Sequence, residues 1–128
     1  MSMCFTVRKK RLSENMSRFN LLPEFERDLE RLTKKYPSLN RDLIDLGGVL
    51  RVFPTGRGKN FTILHSTAEV KIVKTRLACK SLRNRSMRVI YAYHNDAAAF
   101  VYIEIFFKGD KENEDRERIK EYLKRYQD

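Results

Sequence analysis

The chain has 128 residues, a net charge of +10 and a 41% share of hydrophobic residues, which together predict one globular domain rather than a disordered chain. Two cysteines and two histidines are too few for a disulfide framework or a zinc site, so we expect no metal and no cofactor. No segment has the length and apolarity of a membrane span, and the N-terminus lacks the order of a secretory signal, so we expect a cytoplasmic protein.

The positive charge is concentrated in the middle of the chain. Residues 51–94 contain ten basic residues and one acidic residue, and so carry +9 of the net +10. A basic face kept only for solubility normally intersperses both signs. This one-sided segment instead predicts a surface that binds a polyanion such as nucleic acid.

A short strand and two helices are predicted in the first half. The run RFNLL is interpreted as an opening strand. A helix begins near Pro23 and ends before Pro37, because apolar residues recur at intervals of three and four and form one face: Leu22, Phe25, Leu29, Leu32 and Tyr36. Ser38 can cap a second helix, which we expect to end at Gly47-Gly48. The two form a helical hairpin.

A loop, three strands and a final helix are predicted in the second half. The loop FPTGRGKN spans residues 53–60, and strand-like runs cover residues 70–79, 87–94 and 98–107. A charged helix follows over about 113–126, with an apolar stripe at Ile119, Tyr122, Leu123 and Tyr126. The fold class is therefore α+β: the N-terminal helical hairpin and the C-terminal helix pack on a small antiparallel β-sheet.

Alternation along these strands predicts an apolar and a cationic face, because successive side chains point to opposite sides of a sheet. In the first run the apolar face has Val73, Thr75, Leu77 and Cys79, and the other face has Lys74, Arg76, Ala78 and Lys80. In the third run the corresponding sets are Val101, Ile103, Ile105 and Phe107, and Tyr102, Glu104, Phe106 and Lys108. We expect the helices to cover the apolar face only, leaving Tyr102 and Phe106 exposed for stacking on bases.

Five segments occur in an order that resembles the RelE/ParE superfamily of toxins. They are PEFERDLERLTKKYPSL, FPTG, VKTRLA, RVIYAY and YIEIFFKGDKENED, within residues 17–124. The resemblance implies a small α+β toxin that an antitoxin neutralises; many members cut mRNA in the ribosomal A site and others poison DNA gyrase. Residues 16–128 are interpreted as this domain and residues 1–15 as a basic arm.

Cleavage of RNA without a metal requires a base near the attacking 2′-OH, cations around the phosphate and an acid for the leaving oxygen. Lys74 is a candidate base because neighbouring cations disfavour its charged form. Arg76, with Arg83 or Arg85, is expected to hold the phosphate. Lys108 resembles by position a cation that the nucleases use. The best-known nucleases have an arginine at the position of Ala78, so the connector would have to supply it.

Further residues are predicted to bind RNA without taking part in the chemistry: Lys71, Lys80, Arg88, Tyr102, Phe106 and Lys111. Phosphate contact alone is the alternative for each catalytic candidate. For Arg88, a structural anchor for the connector is favoured over a direct chemical role. Glu104 is expected to be a charge partner of Lys74 or Arg76.

Two functions remain open from the sequence. The first is a ribosome-dependent, metal-independent mRNA endoribonuclease, and the second is a non-enzymatic inhibitor of DNA gyrase that uses the same surface. Either would have a short acidic antitoxin as partner, because an acidic segment masks a +9 surface. The other expected partners are mRNA on the ribosome and operator DNA bound only through the antitoxin. No membrane partner is expected.

Overall fold

The computed structural model describes residues 18–82 and 86–127, which form five strands and three α-helices. The elements are β1 (Arg18–Leu21), α1 (Pro23–Lys35), α2 (Leu39–Val52), β2 (Phe61–Ser66), β3 (Val70–Ala78), β4 (Ser86–His94), β5 (Ala99–Phe107) and α3 (Arg116–Gln127). The predicted arm over residues 1–15 lies outside the described residues.

The strands form one mixed sheet in the order β1-β5-β4-β3-β2. The pairs β3–β4 and β4–β5 are antiparallel, as predicted. The strand β2 also runs antiparallel to β3, whereas β1 runs parallel to β5. The strand β2 was not predicted. Its side chains are mostly exposed at the edge of the sheet, so its sequence, FTILHS, carries no regular alternation of apolar and polar residues.

The helical hairpin forms as the apolar periodicity predicts, except at the end of α2. Pro23 occupies the first turn of α1, where its missing N–H is tolerated. The prediction that α2 stops at Gly47-Gly48 is wrong, because the helix continues to Val52. A Cβ atom on Gly47 would lie 3.6 Å from the ring of Phe19, an ordinary van der Waals distance, so α2 packs next to β1 at this point.

Both faces of the sheet carry apolar cores. The hairpin face, which α1 and α2 cover, includes Phe19, Val73, Leu77, Met87, Val89, Tyr91, Phe100, Tyr102 and Ile105. The α3 face, which α3 covers in part, includes Val70, Ile72, Ile90, Ala92, Ile103 and Phe106, packed with Ile119 and Tyr122. The expectation that one face of the sheet is left free is therefore wrong for the half that α3 occupies.

A β-bulge in β5 changes which side chains face each core. Ile90 pairs with Glu104, whereas the next residue of β4, Tyr91, pairs with Tyr102, so Ile103 is an extra residue. In the part of β5 that precedes the bulge, each side chain therefore faces the side of the sheet opposite to the predicted one. Tyr102 points to the hairpin face instead of the predicted cationic face. There its ring is 1% exposed and stacks on Phe25 with the centroids 5.3 Å apart.

Candidate nucleic-acid interface

Three cations lie together on the part of the α3 face that α3 leaves uncovered. Lys74 and Arg76 project from β3, and Arg88 is the direct partner of Arg76 across the β3–β4 pair. The Arg76 side chain is exposed, whereas Lys74 and Arg88 are half-buried. We call Lys74, Arg76 and Arg88 the cationic patch. It confirms the alternation predicted for β3, since Val73 and Leu77 are buried on the hairpin face.

Within the described residues, the two arginines of the patch have no anionic partner. Among the residues that the structure describes, no carboxylate forms an ion pair with Arg76 or Arg88. Burial and the charge of Arg76 lower the pKa of Arg88. Since the two residues are direct cross-strand partners, their like charges repel each other. An anion bound between the guanidinium groups would relieve this repulsion, and phosphate matches their hydrogen-bonding geometry.

Arg88 is also anchored locally. Its Nη1 donates to the hydroxyl oxygen of Ser86 at 2.9 Å, at the start of β4. This contact fits the structural role considered for Arg88. The anchoring therefore orients the side chain within the cationic patch.

Lys74 has a carboxylate partner that the sequence did not indicate. Its Nζ donates to Oε1 of Glu114 at 2.9 Å, and only 7% of the Glu114 side chain is exposed. Burial alone would raise the pKa of Glu114, but the hydrogen bond from Lys74 and the charges of Lys74 and Arg116 outweigh it, so this pKa is lowered. Lys74 is thus not surrounded only by cations, and the reason for assigning it as a neutral base does not hold.

Glu104 occupies the same face with other partners. It is 2% exposed, and its carboxylate accepts hydrogen bonds from Nζ of Lys111 and, at 2.7 Å, from the backbone N–H of Asp115. The expected pairing of Glu104 with Lys74 or Arg76 is therefore wrong. Its role here is to hold the segment before α3 against β5.

Neither ring predicted to stack on RNA bases is accessible. Tyr102 lies in the core of the hairpin face because of the β5 bulge. Phe106 does lie on the predicted face, opposite Arg88, but it is only 5% exposed. Nζ of Lys111 lies 5.5 Å from the centroid of the Phe106 ring. The predicted aromatic stacking surface is therefore absent from the described residues.

The remaining predicted cations lie around the patch or away from it. Lys108 directly follows β5 and Lys80 follows β3 by two residues, and both side chains are exposed. Lys71 projects to the hairpin side near the opposite end of β3, where its Nζ lies 3.4 Å from a main-chain carbonyl oxygen. Lys71 is thus not part of the cationic patch. Arg83 and Arg85 lie outside the described residues.

A histidine and a tyrosine hold α3 on the sheet at a distance from the patch. His94 is 6% exposed at the end of β4, and its Nε2 contacts the hydroxyl of Tyr122 on α3. Burial lowers the pKa of His94, although the charge of Asp96 opposes this effect. The pair belongs to the core between α3 and the sheet, as expected for Tyr122.

The described residues contain neither a metal-binding cluster nor a membrane-spanning helix. Within residues 18–82 and 86–127, no three histidine, cysteine or carboxylate side chains are grouped so that they could hold a metal ion. Over the same ranges, no helix has the length and apolarity needed to cross a membrane.

Comparison with known proteins supports the fold. No family model and no curated protein matches the sequence. A solved structure, the archaeal RelE-RelB complex from Pyrococcus horikoshii OT3, contains a chain that is similar with a TM-score of 0.57 and 19% sequence identity. The alignment covers 73% of this chain and 97% of that chain. The protein therefore has the RelE-like α+β fold that the order of its sequence motifs predicts.

Proposed function

We propose that this protein is the toxin of a toxin–antitoxin pair and that it cleaves mRNA on the ribosome without a metal ion. The observation that carries the proposal is the pair formed by Arg76 and Arg88, which face each other on an open part of a RelE-like sheet and have no carboxylate partner among the described residues. A protein keeps such a repulsive pair at a cost in stability, and a bound phosphate would offset that cost.

The cationic patch is suited to bind the scissile phosphate during RNA cleavage. In our proposal Arg76 and Arg88 hold the scissile phosphate and stabilise the negative charge that develops on its oxygens as the 2′-OH attacks. Lys74 is proposed neither as the base nor as a direct phosphate ligand, because its Nζ is paired with Glu114. Lys108, Arg83 and Arg85 remain proposed catalytic contributors, with Lys80 and Lys111 as contacts to the flanking backbone.

An antitoxin is the proposed protein partner. The similar chain comes from a RelE-RelB complex, and the +9 charge of residues 51–94 favours an acidic segment laid over the patch. Operator DNA would be reached only through that antitoxin. We place the protein in the cytoplasm, where mRNA is translated.

Primer extension on cellular mRNA tests the nuclease proposal. Expression of the protein should stop growth and produce new 5′ ends inside reading frames. Arg76→Ala should abolish these ends. Arg41→Ala should not, since it removes an equally exposed arginine from α2, on the other side of the sheet. Growth arrest without new 5′ ends would refute the proposed cleavage.

Inhibition of DNA gyrase is the second candidate. The burial of Tyr102 and Phe106 favours it, because an RNA-binding surface normally offers an exposed ring for base stacking. In that case, growth arrest would be accompanied by loss of negative supercoiling in a reporter plasmid, and the mRNA would stay intact.

A further inference from the structure

The segment between β5 and α3 brings a carboxylate back onto the cationic patch. The segment turns directly after β5, where the backbone N–H groups of Asp110 and Lys111 donate to the carbonyl oxygen of Phe107 at 2.9 Å and 3.1 Å. It then reaches Asp115, whose backbone N–H is held by Glu104. Glu114 immediately precedes Asp115, so its position next to the sheet is determined by this anchor.

Glu114 lies where an anion bound to the patch would lie. Its Oε1 is 2.9 Å from Nζ of Lys74, and Lys74 is separated from Arg76 by about 7 Å along the same face of β3. A carboxylate and a phosphate offer an ammonium group the same kind of charged oxygen acceptor. We infer that Glu114 occupies a phosphate-binding position at Lys74 and keeps this lysine out of contact with RNA. This inference rests on the proposed function.

Glu114 can compete with phosphate for Lys74 and still be displaced, because other residues hold the segment in place. Glu104 holds the backbone of Asp115 and the side chain of Lys111, and neither contact involves Glu114. The Asp115 carboxylate accepts from the N–H groups of Glu117 and Arg118 at 3.1 Å and 3.2 Å, which fixes the first turn of α3. The Glu114 side chain can therefore leave Lys74 while α3 remains in place.

Binding of a 2′-O-methyl RNA tests the inference, because this single strand lacks the attacking hydroxyl and stays intact. Glu114→Gln should bind it more tightly than the parent, by about four-fold at 0.15 M salt and about eight-fold at 0.05 M, if one more phosphate is neutralised. The slope of log K against log salt should be steeper by about 0.7. Adding Lys74→Gln to this variant should remove both changes.

Glu117→Gln is the matched control, because it makes the same change in charge on the exposed surface of α3. It should leave the salt slope of the parent unchanged. Equal affinities and slopes for the parent and Glu114→Gln would overturn the inference. Weaker binding by Glu114→Gln would also overturn it, since Glu114 would then position Lys74 for RNA.

A substitute variant covers the case in which Glu114→Gln does not fold, and a separate result identifies failure of the proposed function. If Glu114→Gln melts below the assay temperature, Lys74→Gln in the otherwise unchanged chain replaces it: the inference requires an unchanged salt slope, and a slope shallower by about 0.7 would overturn it. Failure of the proposed function has a different signature. The parent and Glu114→Gln would then both fail to bind RNA, so Arg76→Ala would cause no measurable loss of affinity.

Discussion

Replacing the adjacent residues Arg76 and Leu77 separates the chemistry of the cationic patch from the stability of the fold. Arg76 is exposed on the α3 face, whereas Leu77 is 5% exposed in the core under the helical hairpin. Both substitutions to alanine should abolish growth inhibition. The physical reasons differ, since Arg76→Ala removes a proposed phosphate ligand and Leu77→Ala leaves a cavity.

The expected changes in stability differ enough to measure. Emptying a buried leucine site costs about 2–5 kcal/mol, and each 1 kcal/mol shifts the melting temperature of a 128-residue domain by about 4 °C. Leu77→Ala should therefore melt about 8–20 °C below the parent. Arg76→Ala should stay within about 0.5 kcal/mol of the parent, and on the stabilising side, because it ends the repulsion of Arg88.

The two assays are thermal melting followed by circular dichroism and binding of the 2′-O-methyl RNA. Arg76→Ala should retain the melting temperature of the parent and bind the RNA about four-fold more weakly at 0.15 M salt, with a slope shallower by about 0.7. An Arg76→Ala protein that melts far below the parent would refute the assignment of its side chain to the open face. A variant that melts and binds like the parent would refute the role of Arg76 as a phosphate ligand.

Two further predictions concern stability. Gly48→Ala should raise the free energy of unfolding by about 1 kcal/mol in urea titrations, because Gly48 lies inside α2 with open space at its Cβ position. A larger residue at Gly47, such as leucine, should lower the free energy of unfolding, because its side chain would clash with Phe19. The melting temperature should fall between pH 7 and pH 5, because unfolding lets the buried His94 take up a proton, and His94→Gln should remove most of this fall. A further fall should appear only below the ordinary pKa of glutamate, 4.5, as Glu114 is protonated.

The sequence predicted the cationic patch more accurately than the rest of its face. Alternation along β3 is regular, so the opposite directions of Lys74 and Leu77 follow from the period of a strand. In β5 the same rule holds for Glu104 and fails for Tyr102, since the bulge at Ile103 shifts the register by one residue. Nothing in the run YIEIFF marks the position of that bulge.

The partner of Lys74 could not be predicted from local patterns. Lys74 and Glu114 are 40 residues apart, and in the sequence Glu114 belongs to a run of charged residues that resembles any solvated connection. Only the packing of α3 on the sheet brings the two together. The extension of α2 beyond Gly47-Gly48 has a similar cause, because burial of Leu46 and Leu50 in the core outweighs the low helix propensity of glycine.

The position of the patch follows from how far α3 reaches across the sheet. Where Ile119 and Tyr122 cover the strands, the face is apolar, as expected for a sheet buried on both sides. Beyond that cover, the row containing Arg76 and Arg88 replaces apolar pairing with two facing like charges. An uncovered row is expected to carry polar side chains, but packing does not require two like charges directly opposite each other, which repel. An unfavourable arrangement of this kind is typical of a functional site. The uncovered row is therefore where binding of RNA should be sought first.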